Sequence, residues 1–232
     1  VPPSPREVDA PLRRALGDRP RDTSLILATT DAVQLDPDIL RLEAQRLSVD
    51  VWRFTALIDA SERHRHLEWH LCTPCAIRLR EAAGLYRGDF LDQLFLDDSR
   101  PFEEWTETQR RTLRRQWLTA LERLMRYTEW RGENTQAIAF ARHLVDAEPW
   151  LEGNQRELMR LLAVSGQRSA ALSHFAELRQ SLRTELNADP EPATISLARA
   201  IEDDNRAFLV SRTQTAPDRL PVPPTTLIGR ET

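Results

Sequence analysis

The sequence predicts a mostly α-helical chain of tandem helix hairpins, with a short β-hairpin near its start. Three observations carry this. First, residues 118–185 contain one pattern twice, the second copy 34 residues after the first. Leu124-Met125-Arg126 returns as Leu158-Met159-Arg160, Gly132 as Gly166, Ala137 as Ala171 and Leu144 as Leu178. Second, apolar residues recur at helical spacing through most of residues 99–204. Third, two β-rich runs, Leu25–Thr29 and Ala32–Leu35, are separated by Thr30-Asp31, the pattern of a hairpin.

The elements follow in order. Residues 1–11 are Pro-rich and are expected to lack structure. Leu12–Leu16 is a short helical piece ended by Gly17; the hairpin follows, and residues 36–48 read as a loop. Asp50 can cap a helix over Val51–Ala60. After a His-rich stretch, Pro74 suits the first turn of a helix that runs to Tyr86 and stops at Gly88. Ser99 and Pro101 begin a long helix lasting to Arg131, with Phe102, Trp105, Leu113, Trp117, Leu121, Leu124 and Thr128 as its apolar stripe. Further helices are expected over Asn134–Ala147, Trp150–Ser165, Gln167–Leu186 and Pro192–Asp204. From Arg206 the composition is that of a linker.

A 34-residue period, with Pro149 closing the first copy, is the signature of a tetratricopeptide (TPR) helix pair. Such pairs bury their apolar faces against neighbouring pairs and bind partners through what remains exposed. Gly132 and Gly166 can take the left-handed conformation that stops a helix. Ala137 and Ala171 let two helix axes approach closely.

Composition narrows the function. Hydrophobic residues at 41% and charged residues at 29% fit a globular chain, and no apolar run is long enough to span a membrane. No secretory signal is visible, and two cysteines do not make a disulfide framework, so a reducing cytoplasm is the expected compartment. A net charge of −4 is unlike a free-standing nucleic-acid binder. All 32 basic residues are arginine, from which no function follows. With no Met at the start and Gly229-Arg230-Glu231-Thr232 at the end, the chain is expected to be a piece of a longer protein, or a gene fragment using a valine-coding start.

No catalytic frame is present: there is no G-x-S-x-G, H-E-x-x-H or G-x-G-x-x-G, and no phosphate loop. One cluster invites metal chemistry, because His64, His66, His70, Cys72 and Cys75 lie within twelve residues. Imidazoles and thiolates are the preferred zinc ligands, and Cys72-x-x-Cys75 has knuckle spacing; a zinc clip would use His66, His70, Cys72 and Cys75. The reading preferred from sequence is plainer: no cofactor, with the thiols packed as small hydrophobes and the histidines solvated. A metal-dependent enzyme lacks an acid/base frame nearby. Arg110, Arg111, Arg114 and Arg115 form a basic cluster, read as a solvated face offset by Glu103, Glu104, Glu107 and Glu122. Trp69, Trp130 and Trp150, where exposed, would suit partner anchoring.

Several motifs in order resemble the bacterial transcriptional activator domain (BTAD). They are Val49-Asp50-Val51 with Phe54, Leu85-Tyr86-Arg87-Gly88-Asp89-Phe90-Leu91, and Phe102-Glu103-Glu104-Trp105. The series continues with Glu148-Pro149-Trp150-x-Glu152, Arg156-Glu157-Leu158-Met159-Arg160, Gly166-x-x-x-Ala170-Ala171-Leu172, Glu185-Leu186 and Glu191-Pro192-x-x-Thr194. The resemblance covers roughly residues 49–204. It implies a TPR-like helical domain, set beside a winged-helix DNA-binding domain in regulators of the Streptomyces antibiotic regulatory protein (SARP) type. Residues 1–48 then resemble a winged-helix remnant, in which Arg13 and Arg14 are the DNA-contact candidates the resemblance implies. Residues 206–232 are a linker in which Leu220–Pro223 and Leu227–Glu231 resemble the entry to a STAND-type NTPase domain.

Two departures from the family pattern bear on this. Pro11 interrupts the expected recognition helix and Asp31 puts an acid at the wing tip, so DNA contact is expected only through an intact winged helix. Asn187 stands where the family tends to have glycine, and asparagine also tolerates a left-handed helix end. The expected function is a protein-interaction and signal-relay module of a transcriptional regulator, without enzymatic activity. Its expected partners are other proteins, including a second copy (a homodimer) and RNA polymerase, and no membrane. Arg126, Tyr127, Arg160 and His174 are the candidate partner-binding residues. The alternative is a stand-alone TPR-like adaptor that binds a peptide or protein and has no DNA role.

Overall fold

The computed structural model describes residues 49–66, 68, 71–92, 94 and 100–205, together with the backbone of 26–28 and 33–35. The expected hairpin is there as two strands, β1 (Ile26–Ala28) and β2 (Val33–Leu35), paired antiparallel with Leu27 opposite Gln34. The helical piece expected at 12–17, with Arg13 and Arg14, and the motifs expected at 220–231 lie outside the described residues. Backbone contacts divide the chain into two units, residues 1–55 and 56–232, with the boundary inside the first helix.

Among the described residues there are seven helices: α1 (Asp50–Arg63), α2 (Thr73–Leu85), α3 (Arg100–Trp130), α4 (Asn134–Ala147), α5 (Glu152–Val164), α6 (Arg168–Leu186) and α7 (Pro192–Glu202). The fold is therefore mostly α, as the periodicity predicts, and boundaries agree to within a residue or two except at α1, which runs three residues longer. Asp50 begins α1 and accepts the Val51 N–H on its own carboxylate at 2.8 Å. Pro74 falls in the first turn of α2, and Pro192 in that of α7. Consecutive helices pack from α2 through α7, and α5 also touches α7.

The two repeat copies agree to the level of individual hydrogen bonds. At the end of α3 the Glu133 N–H donates to Thr128 O at 2.8 Å and the Gly132 N–H to Glu129 O at 2.8 Å. At the end of α5, 34 residues on, the Gln167 N–H donates to Leu162 O at 2.8 Å and the Gly166 N–H to Ala163 O at 3.0 Å. Both are Schellman stops, which need a left-handed residue at the turn. Gly132 has φ +74° and Gly166 φ +84°. Asn187 closes α6 with a left-handed residue too, at φ 50°, but there the Asn187 and Ala188 N–H groups both donate to Leu182 O.

A Cβ built on Gly132 or Gly166 would meet no atom within 4 Å, so the need for glycine there is conformational, not steric. Gly166→Ala is expected to cost about 1–2 kcal/mol, the left-handed penalty for an L side chain. Urea unfolding measures it; an unchanged midpoint would mean that the turn is not under this constraint.

The core lies where the copies meet. Ala137 and Ala171 are both 0% exposed, at equivalent places on α4 and α6. They join Leu121, Met125, Leu144, Leu158, Met159, Leu161, Leu197 and Ile201 in one cluster. Small residues at 137 and 171 bring the helices of each hairpin together, and α7 covers the end of the stack with Leu197, Ala198 and Ile201. Trp105, placed on the apolar stripe by its spacing, is instead half exposed; its ring meets Phe90 edge-on at 5.6 Å.

Candidate functional site

Two groups of residues merit a functional reading: the surfaces and seams of the stacked hairpins, and the His/Cys cluster beside α2.

The four partner-binding candidates divide. Arg126 is exposed on α3. His174 on α6 is half-buried, and its Nε2 faces Gln155 Oε1, while Gln155 donates to Pro149 O at 2.7 Å. Burial pushes the His174 imidazole below its ordinary range, with Arg142 adding to the effect and Glu177 opposing it. Tyr127 is buried, and its hydroxyl donates to Thr73 Oγ1 on α2 at 3.0 Å.

Arg160 is only 3% exposed. Its guanidinium holds Glu129 of α3 with Nη1–Oε1 at 2.6 Å and Nη2–Oε2 at 2.8 Å, and takes Glu157 Oε2 as well. Arg160 and Tyr127 are thus not on offer to a partner; both are engaged between helices of the chain itself. Arg126 and Arg160 are repeat equivalents that differ in burial: Arg126 is exposed, whereas Arg160 is buried against Glu129 of the preceding hairpin.

Other motif residues also knit helices together. Glu152 on α5 accepts the Glu191 N–H at 3.0 and 2.9 Å and the Thr194 hydroxyl, capping α7 from outside. Arg156 adds Nη1 to Thr194 Oγ1 at 3.0 Å and an ion pair with Glu191. The basic cluster of α3 does comparable work. Arg110 donates to Phe90 O and Leu91 O at 2.7 and 2.6 Å, and Arg114 to Ala147 O at 2.6 Å. The Arg110 bonds hold the turn at residues 90–91, where Leu91 sits at φ 50°. Arg111, paired with Glu107 at 3.7 Å, and the exposed Arg115 fit the solvated-face expectation. Nothing in the motif series marks Arg110 or Arg114, because the carbonyls they satisfy are remote in sequence.

Two of the tryptophans singled out from the sequence are exposed. Trp130 is 58% and Trp150 46% exposed, with Leu151 beside Trp150 similarly open. Trp69 lies outside the described residues.

A family model described as the bacterial transcriptional activator domain matches residues 49–202. The chain belongs to that family. The matched segment spans α1 to α7, so this BTAD is a helical TPR-like module of the transcriptional-regulator type, and the family is a regulatory one. Curated proteins give no match. Among the described residues of the BTAD chain, no helix is long and apolar enough to cross a membrane.

The second group is the His/Cys cluster. His64, His66, Cys72 and Cys75 bring one ligand atom each to within 4.8 Å of one another. His64 Nδ1 lies 3.2 Å from Cys75 Sγ and 3.4 Å from Cys72 Sγ. The His64 and His66 rings are 5.5 Å apart, centroid to centroid. Both histidines are exposed, Cys72 is half-buried and Cys75 is buried. Cys75 Sγ also reaches Ser61 O at 3.8 Å, and Arg78 Nη1 approaches that sulfur at 4.0 Å. Burial pushes the Cys75 thiol up, and the neighbouring Cys72 adds to this. Of the four zinc candidates read from spacing, His66, Cys72 and Cys75 are in this group. His70 lies outside the described residues, and His64 completes the set.

Proposed function

We infer that this BTAD acts as the protein-interaction and signal-relay module of a bacterial transcriptional regulator, through self-association or contact with the transcription machinery. The observation that carries the reading is the tandem pair of hairpins with identical helix stops, within a segment matched by a transcriptional-activator family. Stacked helix pairs bury one another and leave their outer faces to other macromolecules. Trp130 and Trp150 supply large, stiff, apolar contact area of the type that anchors interfaces. DNA reading would belong to a winged helix, for which Arg13 and Arg14 are the candidates in this chain.

The test is a fusion of the chain to a heterologous DNA-binding domain that occupies its operator only as a dimer, in a bacterial reporter strain. Operator occupancy, or promoter stimulation several-fold above the DNA-binding domain alone, is expected. It should fall when Trp130 and Trp150 are replaced by Ala. A folded fusion inert on both counts would overturn the reading.

A further inference from the structure

We propose that His64, His66, Cys72 and Cys75 together bind one zinc ion, which pins the end of α1 to the first turn of α2. The distances carry it. Zinc holds sulfur at ~2.3 Å and imidazole nitrogen at ~2.0 Å in a tetrahedron, which sets nitrogen–sulfur edges of about 3.5 Å and sulfur–sulfur edges of about 3.8 Å. The two measured nitrogen–sulfur separations, 3.2 and 3.4 Å, are already close to that edge. All four ligand atoms lie within 4.8 Å of one another, and bringing such a separation to tetrahedral length takes about 1–1.5 Å. The imidazoles are the exposed members, so their rings can turn without disturbing the core.

Hydrogen bonding alone explains the convergence less well. Nδ1 of His64 can accept from one thiol at a time; with Cys72 as that donor, Cys75 turns to the long contact with Ser61 O at 3.8 Å. A cation satisfies both sulfurs together.

Positive charge lies near the sulfurs and opposes the burial that pushes the Cys75 thiol up. Cys72 is the N-cap of α2 and Cys75 lies in its first turn, where the positive end of the helix favours negative charge. Arg78 adds an N–H donor toward Cys75 Sγ, the kind of outer partner that orients a metal ligand. Two sulfurs and two nitrogens in a tetrahedron select zinc over the harder cations. Four protein ligands leave no position for water or substrate, so the ion is structural. The plainer reading of the histidines as solvated and the thiols as packing groups does not explain why three ligand atoms meet at one point.

The test uses the full chain, purified under reducing conditions without chelator. Elemental analysis is expected to find one zinc per chain. Cobalt(II) exchange should give the visible bands of a tetrahedral site and thiolate-to-metal charge transfer. Cys72→Ser, Cys75→Ser and His64→Ala should each lose stoichiometric metal, while His70→Ala keeps it. Circular dichroism checks folding; should Cys75→Ser unfold, the half-buried Cys72 and the cobalt spectrum of the unaltered chain decide. Absence of zinc after reconstitution together with absence of cobalt–thiolate bands would overturn the proposal. So would metal retained by Cys72→Ser, or loss on His70→Ala with retention on His64→Ala.

Discussion

Arg160→Met is expected to destabilise the chain by about 3–5 kcal/mol, the cost of removing one partner from a buried ion pair. The Arg160 side chain is 4% exposed and that of Glu129 15%, so little water is available to replace the lost contact. Burial by itself would weaken the guanidinium's hold on its proton. The hydrogen bonds and charges of Glu129 and Glu157 outweigh it and hold the Arg160 pKa above its ordinary value. The group is therefore a fixed charge, and methionine leaves Glu129 buried with no counter-ion. Adding Glu129→Gln to Arg160→Met should recover part of the loss, because the stranded charge disappears. Arg160→Lys should not restore full stability, since a point charge cannot grip both oxygens as the planar fork does. Urea unfolding with a fixed slope measures all of these. A loss below about 1 kcal/mol, the size of a surface ion pair, would show that the seam carries no special weight.

That result bears on how a repeat is read. The 34-residue identities foretold which residues stop helices and which pack: Gly132 and Gly166 are left-handed, and Ala137 and Ala171 lie at the core. These features are local, or depend on period alone, so they survive in a linear string. The role of Arg160 does not. An arginine on an amphipathic helix is solvated by default, and its partner Glu129 sits 31 residues earlier on another helix. Arg110 and Arg114 were misjudged for the same reason: the carbonyls they satisfy lie 19 to 33 residues away.

The His/Cys cluster is legible as a composition of ligands, yet spacing alone does not single out His64, which joins His66, Cys72 and Cys75 in the described set. Much of the family's motif series thus encodes the joints between helices. The exposed Trp130 and Trp150, on which the proposed partner contact rests, are marked by no repeat identity.

The other joint gives the second large effect. Glu152→Ala is expected to cost about 2–4 kcal/mol, since hydrogen bonds to a charged group contribute roughly 1.5–3 kcal/mol and a lost helix cap roughly 0.5–2, without full additivity. Glu191, at the N-cap of α7, makes no capping bond with its own side chain, so the carboxylate of Glu152 serves in its place. Removing it leaves the Glu191 N–H and the fully buried Thr194 hydroxyl without that acceptor. The damage should be directional. Hydrogen exchange is expected to rise first in α7, where Leu197 and Ile201 cover the stack, while the stop at Gly132 stays protected. Glu152→Gln should fall between the two, because one oxygen can still accept but an amide N–H₂ now faces two donors. Uniform loosening of all helices by Glu152→Ala, or none, would mean that α7 is held by its apolar face and not by this cap.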